Sequence, residues 1–491
     1  MRTLRSWLIL LCLVLTPALS SAQPAEKDVR KAMRKATDFM MTSVSRHGGF
    51  VWKYSADLSE QWGEAPARPS MIWVQDPGTV GVGMMLLDAY AATGDAQYLA
   101  YAKKAANALI WGQHPAGGWH YFIDFDAGGV QKWYDDVLSK CWGWEEYYHY
   151  YGNCTFDDNV STGATRFLME LYMTTLEPQY RTPLLAALGF ILASQYPNGA
   201  WPQRYPLKDD FSFGGRPDYT SYYTLNDDVT RGNIFLLLEA HARLGNEKYK
   251  AAAHRGMDFI VLSQLTKPQA GWAQQYDKDL KPVAARSIEP AAVMSRRTVT
   301  CIRDLMTFYR ITGNRKYLSG IPDAIAWLES SYLPKHHKMN DRVTHATFYE
   351  PGMNKPLYAH AEGTGIENGR CWIDYNPKNL LAYYGMQHRI DVAALKKEYE
   401  RIKALTPEKA TEEYRSRRGG TPAARKGDTE NVTKLMQSLD KRGAWTEEIR
   451  IPDFDDVVNN PQRKLIGIST ATYLHNMKTM IRHLRTVREK K

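Results

Sequence analysis

Apolar residues recur at helical spacing in paired runs along most of the chain. Met84–Tyr90 leads through Thr93-Gly94-Asp95 to Tyr98 and the run Ala100–Trp111, and Gly117-Gly118-Trp119 follows. The pattern returns as Phe167–Tyr172, Pro178-Gln-Tyr180, Leu184–Leu192 and Gly199-Ala-Trp201. A third copy runs Ile234–Ala242, Leu244-Gly245-Asn246, Tyr249, Met257–Leu262 and Gly271-Trp272. A fourth runs Leu305–Tyr309, Thr312-Gly313-Asn314, Tyr317 and Ile325–Leu328. Glycine takes the left-handed conformation that ends one helix, and the chain reverses into the next. Each copy is therefore a helical hairpin with an apolar face that it cannot bury alone, so the hairpins must stack.

The expected fold is all-α dominated: an α/α toroid of repeated hairpins, with long irregular or β loops forming a cleft at one rim. The Gly/Trp loops of the first three copies leave the same end of their hairpins, which gathers them on that rim. Three segments are expected. Residues 1–22 read as a secretory signal, 23–390 as the toroid, and 391–491 as a charged helical extension packed on it. Within the extension, Arg415–Gly420 reads as a solvated loop, and Thr429–Leu439 and Ser469–Val487 as helices.

The first segment begins with Arg2 and Arg5, continues with apolar Trp7–Leu19 and closes on Ser20-Ser21-Ala22. That is the order of an export signal, and the apolar run is too short to span a membrane. The protein is thus expected to be secreted or periplasmic, without a stable membrane anchor, and monomeric. The formal charge of +10 is spread without a dense Lys/Arg run. Nucleic-acid binding is not indicated, whereas a polyanionic substrate or plain surface solubility fits. Cys141 and Cys154 are candidates for a disulfide in an oxidising compartment, with buried free thiols as the alternative. The chain holds 14 Trp and 30 Tyr, enough to supply sugar-stacking faces as well as a core. Trp144 lies in the densest aromatic stretch, Cys141–Tyr151, which runs straight into Asp157.

The unusual chemistry sits in two short motifs, Asp157-Asp158-Asn159 and Asn226-Asp227-Asp228, each placed directly before an apolar helix. Carboxylates and side-chain amides are hard oxygen donors of the kind Ca²⁺ takes. Helix N-capping is the plainer use of the same residues. Between the motifs lies Gln195-Tyr-Pro-Asn-Gly-Ala-Trp201-Pro-Gln-Arg204-Tyr205-Pro206.

With Gly271-Trp272-Ala-Gln-Gln-Tyr-Asp277 and Ala285-Arg286-Ser-Ile-Glu289-Pro290, these segments resemble polysaccharide lyase family 10, the pectate lyases. The resemblance covers residues 150 to 390. It implies cleavage of polygalacturonate, an acidic polysaccharide, by β-elimination with Ca²⁺ bridging enzyme and substrate carboxylate. It places Asp157 and Asn226-Asp227-Asp228 at the calcium-and-substrate centre, with Asp227 and Asp228 on the metal, and it makes Arg286 a substrate-binding arginine. Trp144, Trp201, Arg204, Tyr205, Asn226 and Tyr349 are the expected substrate contacts.

The chain departs from the family where the later segment carries arginines, the last of them the usual base. Here Thr347 and Ala361 occupy the first and last of those positions. His360, Arg370 and Arg286 are the candidate replacements for the base. Two other readings stand beside the lyase: a non-catalytic or altered uronate-binding relative, and a toroid glycoside hydrolase using two carboxylates.

Overall fold

The computed structural model describes residues 24–138, 150–208, 212–213, 216–363, 370–381, 385–418, 428–453, 456 and 461–489. Trp144 and Cys141 lie outside them, as does the whole of the 1–22 segment. Cys154 is a buried free thiol.

Three hairpins form as the pattern implies: Thr79–Thr93 with Ala96–Trp111, Val160–Thr175 with Pro178–Ala193, and Val229–Leu244 with Glu247–Leu262. In the fourth, Ser295–Thr312 is followed by a short 3₁₀ turn, Arg315–Leu318, and then by Ile321–Ser330. The turns are built alike. Gly94, Gly245 and Gly313 take φ of 71°, 70° and 71°. Asp95, Asn246 and Asn314 then cap the following helix by accepting from the backbone N–H two residues on. The second hairpin lacks the glycine, and Leu176 itself adopts the left-handed conformation at φ 55°.

Each Gly/Trp loop is pinned to its own hairpin. The indoles of Trp119, Trp201 and Trp272 are fully buried and donate to the carbonyls of Leu109, Ile191 and Ile260, at 2.8, 2.8 and 2.7 Å. A glutamine at the end of each second helix ties its loop to the next hairpin. Gln113 donates to Gly117 and Pro183, Gln195 to Gly199 and Ala252, and Gln264 to Ala270 and Gly320. A half-buried side-chain amide satisfied on both sides fixes the stacking register.

Short ladders then stitch the rim. Met71–Trp73 pairs with Phe122–Asp124, Cys154–Thr155 with Arg204–Tyr205, and Tyr223–Thr224 with Gln275–Tyr276, all antiparallel. In every case the strand entering a hairpin pairs with the strand leaving it. Val293–Met294 continues the series against Phe348–Tyr349, within a four-stranded sheet completed by Pro356–Glu362 and Arg370–Asp374.

The first helices of successive hairpins pack side by side, and the last helix, Thr470–Glu489, packs against both Thr79–Thr93 and the N-terminal helix Glu26–Phe39. Thr446–Pro452 and Gln462–Ser469 join Lys53–Ser55 in a five-stranded sheet. The chain's two ends are therefore woven together. The Arg415–Arg418 segment, expected as a loop, instead ends a helix, Pro407–Arg418, that packs on Ser295–Thr312. Among the described residues no helix is long and apolar enough to cross a membrane.

Leu176 offers a test of the turn. The residue is 66% exposed, so little packing is lost on removing its side chain. A left-handed non-glycine costs about 1–2 kcal/mol, part of which glycine returns as unfolded-chain entropy. Leu176→Gly is expected to raise the unfolding free energy by about 0.5–1 kcal/mol in denaturant titrations. A loss of stability would contradict this account of the turn.

Candidate active site

The two Asx motifs occupy equivalent places in successive hairpins, each as a 3₁₀ turn before the first helix, and the turns pack on each other. Each holds two consecutive residues in the left-handed region: Asp158 and Asn159 at φ 45° and 61°, Asp227 and Asp228 at 45° and 60°. Asn and Asp tolerate this conformation better than other side chains, which explains the residue types. Neither Asn159 nor Asp228 makes a side-chain cap bond, so the capping alternative does not describe them. Asn159 instead accepts from Thr162, and its amide oxygen lies against Gly232 of the next hairpin, 2.4 Å from where a Cβ would stand.

Arg286 joins the motifs. Its Nη2 lies 3.2 Å from Asp157 Oδ2, and its Nη1 lies 3.3 Å from both Asp227 Oδ2 and Glu289 Oε1. The guanidinium and its Asp157 and Glu289 partners are buried. The arginine fork expected to clamp substrate is therefore engaged with the protein's own carboxylates. Tyr121 donates to Asp157, Asn226 and Gln274 donate to Glu289, and Gln75 donates to Asp158 at 2.7 Å. Asn226 also donates to Asp227, at 2.7 Å. Burial first, and the charge of Asp157 next, push the Asp227 carboxyl well above the ordinary range, against the pull of Arg286. Its neighbour Asp158 is pushed up to about 6 by the surrounding protein and then by the charge of Asp227.

Above this cluster opens a cavity of about 380 Å³. One wall carries Asp158, Asn159, Asn226, Asp227 and Asp228, and the remainder includes Arg296, Arg297, Thr300, Thr347 and His388. Arg297 reaches Asp228 at 3.9 Å and donates to Asn226 at 3.5 Å. Arg231 approaches Asp228 from the other side at 3.6 Å while pairing with buried Asp304 at 2.9 Å. Mutually repelling carboxylates are the setting that a hard cation relieves, and the donors are all oxygen. Among the described residues no three His, Cys, Asp or Glu side chains stand close enough to hold a metal by themselves.

The other expected site residues lie elsewhere. Trp201 is a core residue rather than a sugar platform, since its whole ring is covered and its N–H is spent on Ile191. Tyr349 is likewise core, with its hydroxyl on the Ser331 carbonyl. Arg204 is buried between the rings of Tyr121 and Tyr151, 5.3 and 5.0 Å from their centroids, so it supports the rim from beneath. Half-buried Tyr205 packs edge-on against Phe190. Both ring nitrogens of His360 are taken, by Asp374 at 2.9 Å and the Asn379 carbonyl at 3.1 Å, and its face stacks on Trp372. Arg370 is exposed and paired with Glu362 at 2.8 Å. Neither His360 nor Arg370 lines the cavity. Residues that the sequence reading passed over include Gln75, Tyr121, Glu289, Arg296, Arg297 and His388. Only Glu289 carried a signal, its place three residues after Arg286.

Two outcomes follow from these charges. Arg286→Ala strips buried carboxylates of their cation, and the loss should reach about 3–5 kcal/mol. Proton uptake relieves the stranded carboxylates, so the deficit in Tm should be larger at about pH 8 than at about pH 5. A small, pH-independent deficit would contradict the cluster. His388 acts in the opposite sense. Burial first, and Arg296 next, lower its pKa to about 4, whereas the unfolded ring titrates near 6.5. Its contribution to stability is whole above about 6.5 and is lost as pH falls through that window, where only the unfolded chain binds the proton. His388→Gln should therefore lose less Tm than wild type on acidification from about pH 7 to about pH 4, and equal losses would contradict the ring's assigned setting.

Comparison with known proteins adds ancestry. Residues 126–368 match the family model for pectic acid lyase. No curated protein matches the chain. Among solved structures, a family 10 polysaccharide lyase from Cellvibrio cellulosa is similar, with 18% identity and a TM-score of 0.43 over 66% of this chain and 98% of that one. A mutant of that lyase in complex with trigalaturonic acid gives the same figures. An unsaturated glucuronyl hydrolase specific for heparin is similar over 94% of this chain and 97% of its own, with 11% identity and a TM-score of 0.41. Residues 126–368 of this chain, just under half of it, are thus similar to the pectic acid lyase family.

Proposed function

We propose that the protein is an exported lyase that cleaves polygalacturonate or a related uronan by Ca²⁺-assisted β-elimination, with residues 1–22 as its export signal. The observation that carries the reading is the cavity with Asp158, Asp227 and Asp228 on one side and Arg296 and Arg297 also lining it. A uronate brought against the acidic wall is repelled unless a cation lies between them. The arginines offer its carboxylate direct charge-assisted hydrogen bonds. Bound Ca²⁺ would withdraw charge from the substrate carboxylate and so acidify the neighbouring C5–H.

The chain's own residues supply the rest. Asp158 and Asp228 face the cavity as oxygen donors, with Asn226 and Asn159 beside them. Arg286 keeps Asp157, Asp227 and Glu289 fixed, so the acidic wall is in place before substrate arrives and costs no reorganisation. An arginine held in this way stays protonated and is poorly suited to remove a proton itself.

The test is ultraviolet-monitored digestion of polygalacturonate with and without Ca²⁺. Elimination creates a C4–C5 double bond conjugated to the carboxylate, which absorbs. Wild type should gain absorbance only with Ca²⁺, and Asp228→Ala should weaken calorimetric binding of calcium and oligogalacturonate while leaving the fold intact. Reducing ends without absorbance would turn the reading to hydrolysis. Binding with neither product would turn it to a non-catalytic relative.

A further inference from the structure

Elimination needs a base, and the described structure withdraws the three obvious ones. Arg286 is held by Asp157, Asp227 and Glu289, His360 has both nitrogens bonded, and Arg370 is paired outside the cavity. Among the described residues one imidazole lines the cavity: His388. It stands on the Gln387–His388 strand, which pairs antiparallel with His345–Ala346, and its own carbonyl accepts from Thr344 N–H at 2.9 Å. Thr347 braces the preceding turn by donating to the Gly385 carbonyl at 2.7 Å, while its N–H reaches the Met386 carbonyl at 2.9 Å. The backbone under the ring is therefore fixed from both sides.

The ring's Nε2 is buried and has no hydrogen-bond partner among the described residues. Burying an unsatisfied nitrogen costs free energy, and one in a native structure calls for an explanation. Beside it, Arg296 is exposed into the same cavity, and its guanidinium forms no ion pair with any described residue. An unpaired guanidinium is a ready carboxylate receptor. The proton removed in elimination lies on the carbon bearing the carboxylate. A carboxylate seated on Arg296 therefore brings C5–H to the region of the neighbouring ring.

The geometry points to His388 as the base of the elimination, with Arg296 seating the uronate carboxylate next to it. This inference rests on the lyase reading and deepens it. In the step, the unprotonated ring nitrogen of His388 takes the C5 proton and the C–H electron pair becomes the C4–C5 double bond. The C4–O bond breaks with its pair on the glycosidic oxygen, which takes a proton from water. His388 then returns its proton to solvent.

The surrounding charges suit this use. Burial first, and Arg296 next, lower the ring's pKa, while a hydrogen bond to the Gly385 carbonyl works against both. A neutral imidazole has one donor and one acceptor nitrogen, so one ring nitrogen keeps a lone pair able to take a proton. Across the strand, His345 has its nitrogens on Thr344 and the Leu328 carbonyl, and its pKa is also lowered, chiefly by burial. The neighbouring Arg389 is exposed, and Arg297 and the carboxylates of Asp158, Asp227 and Asp228 face the same cavity. A carboxylate on Arg296 cancels part of the field that weakens the base, so the ring becomes more basic only when substrate is present.

The experiment is the same ultraviolet assay on the full-length protein with polygalacturonate and Ca²⁺, run across pH. His388→Gln and His388→Ala should lower kcat by about 10²–10⁴-fold while still binding trigalacturonate in calorimetry. Added imidazole should restore part of the His388→Ala rate. Arg296→Gln should raise KM and move the acid limb of kcat/KM to higher pH, because the ring loses its repelling neighbour. Near wild-type kcat in the His388 variants overturns the assignment and leaves the lyase reading standing. So does an inactive variant that binds the trimer and gains nothing from imidazole. A wild type with no absorbance gain on any uronan overturns both readings.

Discussion

The guanidinium of Arg286 is the fixed point of this molecule. It bridges Asp157 from one hairpin loop, Asp227 from the next and Glu289 from its own, all within 3.3 Å. Without a buried cation these carboxylates would have to take protons or leave the interior. Their convergence therefore exists only because the arginine is present. Its placement in turn requires that the hairpins keep their spacing, which the buried indoles and the bridging glutamines enforce.

A repeat becomes a site by small departures from itself. Equivalent positions hold Asp157 and Asn226, then Asp158 and Asp227, then Asn159 and Asp228. The backbone is the same in both turns, left-handed at the last two positions. The side chains differ so that the acidic group beneath the cavity comes from Asp157 in one turn, while the second supplies the Asn226 amide that donates to Asp227 and Glu289. A scaffold of repeated loops delivers such residues to one rim, and the chemistry is set there residue by residue.

The hairpins were legible because their signals are local and periodic. A Gly-Asp or Gly-Asn turn between helical runs and a Gly-Trp pair after them can be read along the chain, and each appears where expected. The Asx motifs were legible for a related reason: two left-handed residues in a row restrict the residue types. Trp201 shows the limit, because an indole looks the same in sequence whether it stacks on a sugar or fills a core. The two-residue strands are too short to leave an alternating pattern, so the rim ladders were invisible. Gln75, Tyr121 and His388 were missed because each reaches the site from a distant part of the chain, and nothing near them in sequence marks that approach. Arg415–Arg418 reads as solvated loop, although it ends helix Pro407–Arg418, because its charges mask the helix that packs on Ser295–Thr312.

The chemistry proposed for the cavity above Arg286 is elimination rather than hydrolysis. The direct measurement is the mass of the new non-reducing ends released from polygalacturonate in heavy-oxygen water with Ca²⁺. Elimination yields ends lighter by one water and without solvent oxygen, which is the result expected here. Saturated ends of full mass would place the chemistry with hydrolysis and contradict the account.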